Sequence, residues 1–291
     1  MRCRAVLTRI DALRTGELPA PESTEVNEHL RTCRSCDEST NDLTALTVGL
    51  KETCIDPPRS IRDEISDQFD VIKAGGDEVL VAFSDRGLRM ITTGASPEEF
   101  RETYARKFGR DIKRGTLPDR LRKQVVAALS GEGVARPVVD FADASEFEKK
   151  VMEVLTHIPC GEVRTYTWVA QQAGRPKAVR AVGNICAHNV VPFVVPCHRV
   201  VPTSGGVGNY AFGSSVKRAL LKREGVPVDK LDELARRRVR YIGSKTTKVF
   251  CFPTCPGALR IYEENRMGFR DERDAASQGF RPCKRCQPVA A

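Results

Sequence analysis

Residues 158–226 read IPCGEVRTYTWVAQQAGRPKAVRAVGNICAHNVVPFVVPCHRVVPTSGGVGNYAFGSSVKRALLKREGV, and within them the run VVPCHRVV at 194–201 places Cys197 directly before His198 and Arg199. Pro192, Pro196 and Pro202 stiffen the segment. A thiol is a strong nucleophile only as its thiolate, so a histidine able to take the proton, with positive charge nearby, is what a reactive cysteine needs. The alternative is a buried cysteine in an apolar strand, since free cysteine is among the most buried residue types. Working outward, residues 167–173 and 177–187 read as two short helices around a Gly174-Arg175-Pro176 turn, which is the helix-turn-helix layout. Helical hairpins are common, so this layout points to DNA only through its place beside Cys197. Residues 216–224 read as the last helix of this domain. Gly205, Gly206 and Gly208 lack a preceding strand and a following P-loop lysine, so they read as pocket shape rather than a nucleotide loop.

Taken whole, residues 158–226 closely resemble the active-site domain of the O6-alkylguanine-DNA alkyltransferases, and the resemblance extends more weakly upstream to about Ile72, where that family carries a small α/β domain. It implies that Cys197 is the alkyl acceptor, that His198 takes its proton through a water, and that Glu224 polarises the histidine. This is nucleophile, base and orienting-group logic. By the same resemblance Tyr166 donates toward the base, Lys217 lies near the thiolate, and Asn189 is the hinge between recognition helix and active-site loop. A base inside a stacked duplex must be swung out, at a cost of a few kcal/mol. The resemblance gives Arg180 the vacated space and has Tyr210, Val207, Gly208 and Ala211 line the pocket. The blander alternatives are a surface cation for Arg180 and a core aromatic for Tyr210. His157, His188, Cys160, Cys186 and Cys54 have no partner pattern and read as structural.

The tail carries Cys251-x3-Cys255 and Cys283-x2-Cys286, two close pairs that make a tetrahedral zinc set. Its basic, turn-rich segments have little apolar mass to bury four free thiols, and a tail so small needs a staple. RYIGSKTTKVFCFPTC with QGFRPCKRCQP resembles the metal-binding, methylphosphotriester-accepting module of Ada-type proteins. That resemblance makes Cys251 both ligand and second methyl acceptor. Zinc with four thiolates carries a formal −2, which repels phosphates but not a neutral triester, and methylating one ligand would strengthen DNA binding. The module stands C-terminal here and no AraC-type region follows it, which puts Ada-like transcriptional activation in doubt.

At the other end Cys3, His29, Cys33 and Cys36 have the spacing of a Cys3His zinc site. RTGEL, HLRTCRSC and PPRSIRDEI resemble the zinc-associated anti-sigma domain, which implies a sigma factor as partner. Apolar spacing predicts helices through Val6, Leu7, Ile10 and Leu13, through Val26 and Leu30, and over 37–52 through Leu43, Leu46 and Leu50, with Asp56-Pro57-Pro58 as a linker. An antiparallel meander is expected at 69–73, 78–83 and 88–92. Further helices are expected from a Ser96 cap to about Phe108, over 118–129 and over 146–155.

The chain has 291 residues, more than one ordinary domain needs, and a net charge of +9. Residues 1–65 carry net −3, 66–144 net 0, 145–232 net +5 and 233–291 net +7. The excess in the C-terminal half favours a polyanionic partner, and the acidic N-terminal segment favours a protein. With neither an 18-residue apolar run nor a charged-then-apolar leader, a cytoplasmic monomer with no membrane contact is expected. In a reducing compartment the eleven cysteines do not read as disulfides, and eight of them fall in reactive or metal-like positions. The expected fold is multidomain α+β. It comprises a helical zinc domain (1–65), an alkyltransferase α/β domain (66–144), an active-site domain with a winged-helix-like helix-turn-helix (145–232) and a small zinc-stapled module (233–291) joined through the basic linker 236–240. Its expected function is stoichiometric repair of O6-alkylguanine in double-stranded DNA, with no diffusible organic cofactor. The rival is a regulator whose grip on a sigma factor changes on alkylation.

Overall fold

A small core of Val6, Ile10, Val26 and Cys36 draws together three N-terminal helices, α1 (Cys3–Leu7), α2 (Ile10–Thr15) and α3 (Ala20–Thr32). Leu13 and Leu30 pack against it, as the helical spacing predicts, and so does Leu18 from the turn between α2 and α3. The computed structural model describes residues 3–15, 18–38, 40–41, 67–74, 76–132, 134 and 137–288. The expected third helix is therefore met only at its start, and its leucines, the Asp56-Pro57-Pro58 linker and Cys54 lie outside the described residues. The chain divides into two compact units, Met1–Glu64 and Ile65–Ala291.

In the second unit the meander forms as expected: β1 (Gln68–Ala74), β2 (Asp77–Ser84) and β3 (Gly87–Thr93) pair antiparallel, and β4 (Lys113–Arg114) adds parallel to β1, giving the order β3-β2-β1-β4. The run VLVAF in β2 is buried throughout because cores lie on both faces. Val79, Val81 and Phe83 face one cluster, and Leu80 and Ala82 face the other with Phe100 and Tyr104 of α4 (Pro97–Phe108). Ser96 caps α4 in a full capping box with Glu99.

The first of these clusters does not stop at residue 144. It takes in Leu121 and Val125 of α5 (Asp119–Ser130), Val151 and Leu155 of α6 (Glu146–Thr156), and Val191, Val195 and Cys197 itself. Next come β5 (Arg164–Thr165), then α7 (Tyr166–Gln172) and α8 (Val179–Ala187), the expected helical hairpin. A single 3-10 turn, Cys197–Arg199, leads into β6 (Val200–Val201), which pairs in parallel with β5.

The region after Cys197 differs from expectation. The helix read at 216–224 starts earlier, as α9 (Ser214–Arg223), and is not the last: α10 (Val228–Arg236) follows, burying Val228, Leu231 and Leu234. The basic run 236–240 is no free linker. Arg236 ends α10, Arg238 sits at φ +57°, and the Arg240 N–H bonds Phe269 O at 2.8 Å. The tail is a four-stranded sheet of order β10-β8-β7-β9, from β7 (Tyr241–Ser244), β8 (Val249–Cys251), β9 (Arg266–Phe269) and β10 (Arg281–Pro282). Helices α11 (Pro256–Leu259) and α12 (Glu272–Ser277) complete it. Its aromatic core of Tyr241, Phe250, Phe252, Phe269 and Phe280 also takes in Leu234, and Trp168 packs on both this core and the main one. No described helix is long and apolar enough to cross a membrane.

Candidate active site and metal centres

The segment from the end of α8 to β6 wraps Cys197 in its own backbone. Asn189 is nearly buried and holds the loop in shape: its Nδ2 donates to Val195 O at 2.9 Å and its Oδ1 accepts from Val191 N at 3.0 Å. The same Nδ2 lies 3.1 Å from the Cys197 sulfur, and the Tyr210 hydroxyl lies 3.9 Å from it. Cys197 is 3% exposed. Burial pushes its thiol up, while Asn189, Tyr210 and the Lys217 charge pull it back. Lys217 is fully buried, with Nζ donating to Val200 O at 2.6 Å and Asn209 O at 3.3 Å, and burial brings it down to about 8.

His198 Nε2 lies 2.9 Å from Glu224 Oε1. Burial disfavours the Glu224 charge, but hydrogen bonds from His198 and Arg199 outweigh that and hold it to about 2. An ionised carboxylate only accepts, so Nε2 carries the proton and Nδ1 is the basic nitrogen. Nδ1 is buried with no partner among the described residues. Burial also pulls His198 below its usual range against the pull of Glu224, so the ring rests neutral. Arg199 grips both oxygens of Glu224 at 2.9 and 2.8 Å and ties Ile158 O at 2.6 Å. The sequence placed Arg199 two residues after Cys197, but only the fold shows that it anchors the Glu224 carboxylate.

Tyr166 opens α7, half-buried against the main core, and burial raises its hydroxyl to about 12. Arg180 is exposed on the second residue of α8 and makes no ion pair among the described residues. Gly208 sits at φ +73°, where a Cβ would stand 2.5 Å from the Pro202 ring, so only glycine fits. Val207, expected to line the base pocket, instead buries its side chain among Val163, Val201, Leu221 and Val226. Phe193 and Phe212 went unread in the sequence, and with Tyr210 they make an aromatic row: the Phe193 and Phe212 rings stack at 6.2 Å, and Tyr210 tilts on Phe212 at 5.4 Å. Phe193 holds φ +70°, an uncommon state for an aromatic residue beside a reactive centre.

Two tetrads complete the picture. In each of Cys3, His29, Cys33, Cys36 and Cys251, Cys255, Cys283, Cys286 the ligand atoms all lie within 4.8 Å of one another. The N-terminal set fits a metal on a further ground, because His29 Nε2 is buried with no partner among the described residues. In the C-terminal set a thiol hydrogen bond from Cys251 lowers Cys255, while that same contact pushes Cys251 up. Sulfurs this close cannot all ionise unless a cation stands between them. Gly257 brings its backbone against Cys251 and Cys255, where a Cβ would meet the sulfurs at 3.4 and 3.7 Å. Cys251 and Cys283 line a groove with Thr246, Thr247, Arg260 and Arg281.

Residues 146–226 match the family described as 6-O-methylguanine DNA methyltransferase, DNA binding domain. Residues 233–289 match the metal binding domain of Ada, and residues 3–36 the family described as "Putative zinc-finger". A methylated-DNA-protein-cysteine methyltransferase of Methanosarcina mazei is 31% identical over 166 residues, covering 54% of this chain and 96% of its own length. This chain belongs to the methylated-DNA-protein-cysteine methyltransferases. The regulatory protein Ada of Salmonella typhimurium is 36% identical over 147 residues, which are 50% of this chain and 42% of that protein. This methyltransferase thus spans less than half the length of the Ada protein it matches. A Mycobacterium tuberculosis OGT solved in complex with DNA aligns over 58% of this chain and 98% of its own, at 28% identity and a TM-score of 0.44.

Proposed function

We propose that Cys197 accepts the alkyl group of O6-alkylguanine in double-stranded DNA, in a single turnover, as a methylated-DNA-protein-cysteine S-methyltransferase. The observation that carries this reading is the buried array around one sulfur: Asn189 and Tyr210 on the thiol, and His198 fixed on Glu224, its other nitrogen without a partner among the described residues. His198 Nδ1 takes the thiol proton through one water. The sulfur then attacks the alkyl carbon, the S–C bond forming as the C–O6 bond breaks and the electron pair leaving with guanine. Tyr166, still protonated at neutral pH, donates a hydrogen bond to the departing base, and the proton taken from sulfur neutralises it. Product and reactant balance as thioether plus guanine. Nothing restores the thiol, so each chain reacts once.

DNA contact is assigned to α7 and α8, with Arg180 filling the space of the extruded base and the aromatic row offering it a stacking face. Arg180→Ala should slow transfer from duplex DNA at least tenfold and leave transfer from a free O6-alkylguanine base nearly unchanged, because extrusion is work a free base does not require. Single-turnover rates on the two substrates check this. Equal loss on both would return Arg180 to a folding role.

Both tetrads are read as zinc sites, which would hold their ligands as thiolates and supply folding energy. Metal analysis of freshly reduced protein should give two zinc ions per chain. Cys251, opening on a groove with Arg260 and Arg281, is read as acceptor for a methylphosphotriester. Cys251→Ser should lose that label, and Cys286→Ser should lower it by removing metal. A Cys251 left unlabelled with zinc bound would reduce the module to a structural knob. For the N-terminal unit, its tetrad and net −3 favour a protein partner, read as a sigma factor and tested by co-purification. A cytoplasmic monomer acting on the nucleoid is the setting this implies.

A further inference from the structure

Both metal knuckles touch the framework of the Cys197 centre. Thr254, between Cys251 and Cys255, accepts a 2.9 Å hydrogen bond from the Val163 N–H, with both residues buried. Arg285, between Cys283 and Cys286, lies 3.4 Å from Glu162. Glu162 is buried and paired at 2.7 Å with Arg164. The Arg164 guanidinium is held between the rings of Trp168 and Phe252, at 5.4 and 5.2 Å from their centroids. The Trp168 indole N–H closes the seam on Gln287 O at 2.8 Å. The tail, expected to be joined through the basic linker 236–240, is in addition built onto β5 and α7.

Residues 162–165 are close to the chemistry. Arg164 and Thr165 pair with Val200 and Val201, the strand that leaves the turn bearing Cys197 and His198. Thr165 is also the N-cap of α7, its hydroxyl accepting from Trp168 N at 3.1 Å, and the next residue is Tyr166. A rigid path of one hydrogen bond and one strand pairing therefore joins the metal knuckles to both the nucleophile turn and the proposed donor tyrosine.

Resting on the repair reading above, we propose that the C-terminal metal module is a positioning element of the Cys197 centre. Thr254 and Arg285 are its positioning residues, holding 162–165 and so setting Tyr166 against the Cys197–Arg199 turn. A change of coordination at Cys251 is then felt at Cys197, which couples the two acceptor sites within one chain. Misplacing reacting groups by about 1 Å can cost on the order of a hundredfold in rate.

The test uses the full, zinc-loaded chain and reads single-turnover transfer to Cys197 from duplex DNA and from a free O6-alkylguanine base. Thr254→Val keeps the shape but removes the acceptor, whereas Thr254→Ser keeps the hydroxyl. The valine variant should slow both substrates about tenfold, unlike Arg180→Ala, and the serine variant should stay near wild type, with zinc content unchanged in each. Trp168 is the sole tryptophan, so a red-shifted emission in the valine variant reports the loosened seam. If that variant fails to fold, Arg285→Ala, whose side chain is 62% exposed, should still slow both substrates. A wild type that transfers nothing overturns the repair reading. An active wild type with an equally active Thr254→Val chain, or an equally active Arg285→Ala chain where the valine variant does not fold, overturns this proposal alone.

Discussion

Cys197→Ala is expected to abolish transfer from O6-methylguanine, with the labelled methyl of the wild-type protein recovered only on the peptide that contains Cys197. The expectation rests on what surrounds this sulfur and no other described one. Cys186 is buried too, but burial leaves its thiol far above the usual range, and no hydrogen bond among the described residues stabilises its thiolate. Cys160 is exposed, donates to Gly131 O at 3.1 Å and is also pushed up. The tetrad sulfurs are committed to one another. Alanine removes the sulfur but leaves Asn189 its bonds to Val195 and Val191 and His198 its bond to Glu224, so circular dichroism should be unchanged. Base-lesion label that persists in the variant would sink the assignment.

The second large effect is expected from Glu224→Gln. A glutamine amide can present its NH2 to His198 Nε2 and turn the ring's tautomer, leaving Nδ1 protonated and unable to take the thiol proton. Loss of an oriented base costs on the order of 10²–10⁴ in rate. Stability should fall as well, because Arg199 would be left buried without its carboxylate, a loss of roughly 3–5 kcal/mol. The sign of the pH dependence follows from Glu224 being held at about 2, below its ordinary value. Its contribution is complete above the unfolded pKa and is lost as pH falls from about 4.5 toward 2, amounting to about 3 kcal/mol for that displacement. Urea unfolding should therefore show the wild type and Glu224→Gln far apart at pH 7 and converging as the medium is acidified. Curves that stay parallel into acid would remove Glu224 from the ion-pair role.

Much of this was legible along the chain. The meander was readable because Gly75-Gly76 and Asp85-Arg86-Gly87 punctuate apolar runs, and the Ser96 capping box because its residues lie three apart. The helical hairpin and both tetrads were readable for the same reason: local spacing carries them. What escaped were contacts between residues distant in sequence. Val207 looked like a pocket residue in a glycine-rich loop, and only the packing of α9 and α10 turns it inward. The arginines at 236–240 looked like a charged linker because their side chains are solvated, while their backbone is already committed to α10 and the tail sheet. Glu162, Arg164, Thr254 and Arg285 carry no motif at all. Their meaning comes from pairing across about ninety to one hundred and twenty residues, which no periodicity encodes.

Cys197 is a member of the same apolar cluster as Val81 of the first sheet, Val125 of α5 and Leu155 of α6. An alkyl group gained there is therefore gained inside the core. Interiors packed to crystal density accept an extra methylene only by displacing neighbours, typically at about 1–3 kcal/mol. A folded domain holds only about 5–15 kcal/mol in reserve. On the proposed transfer to Cys197, a spent molecule would be looser than a fresh one, and any proteolytic system that samples unfolded chains would meet it more often. The buried position of that sulfur would turn a chemical dead end into a mark of age, so that clearance of used protein would need no receptor for the alkyl group itself.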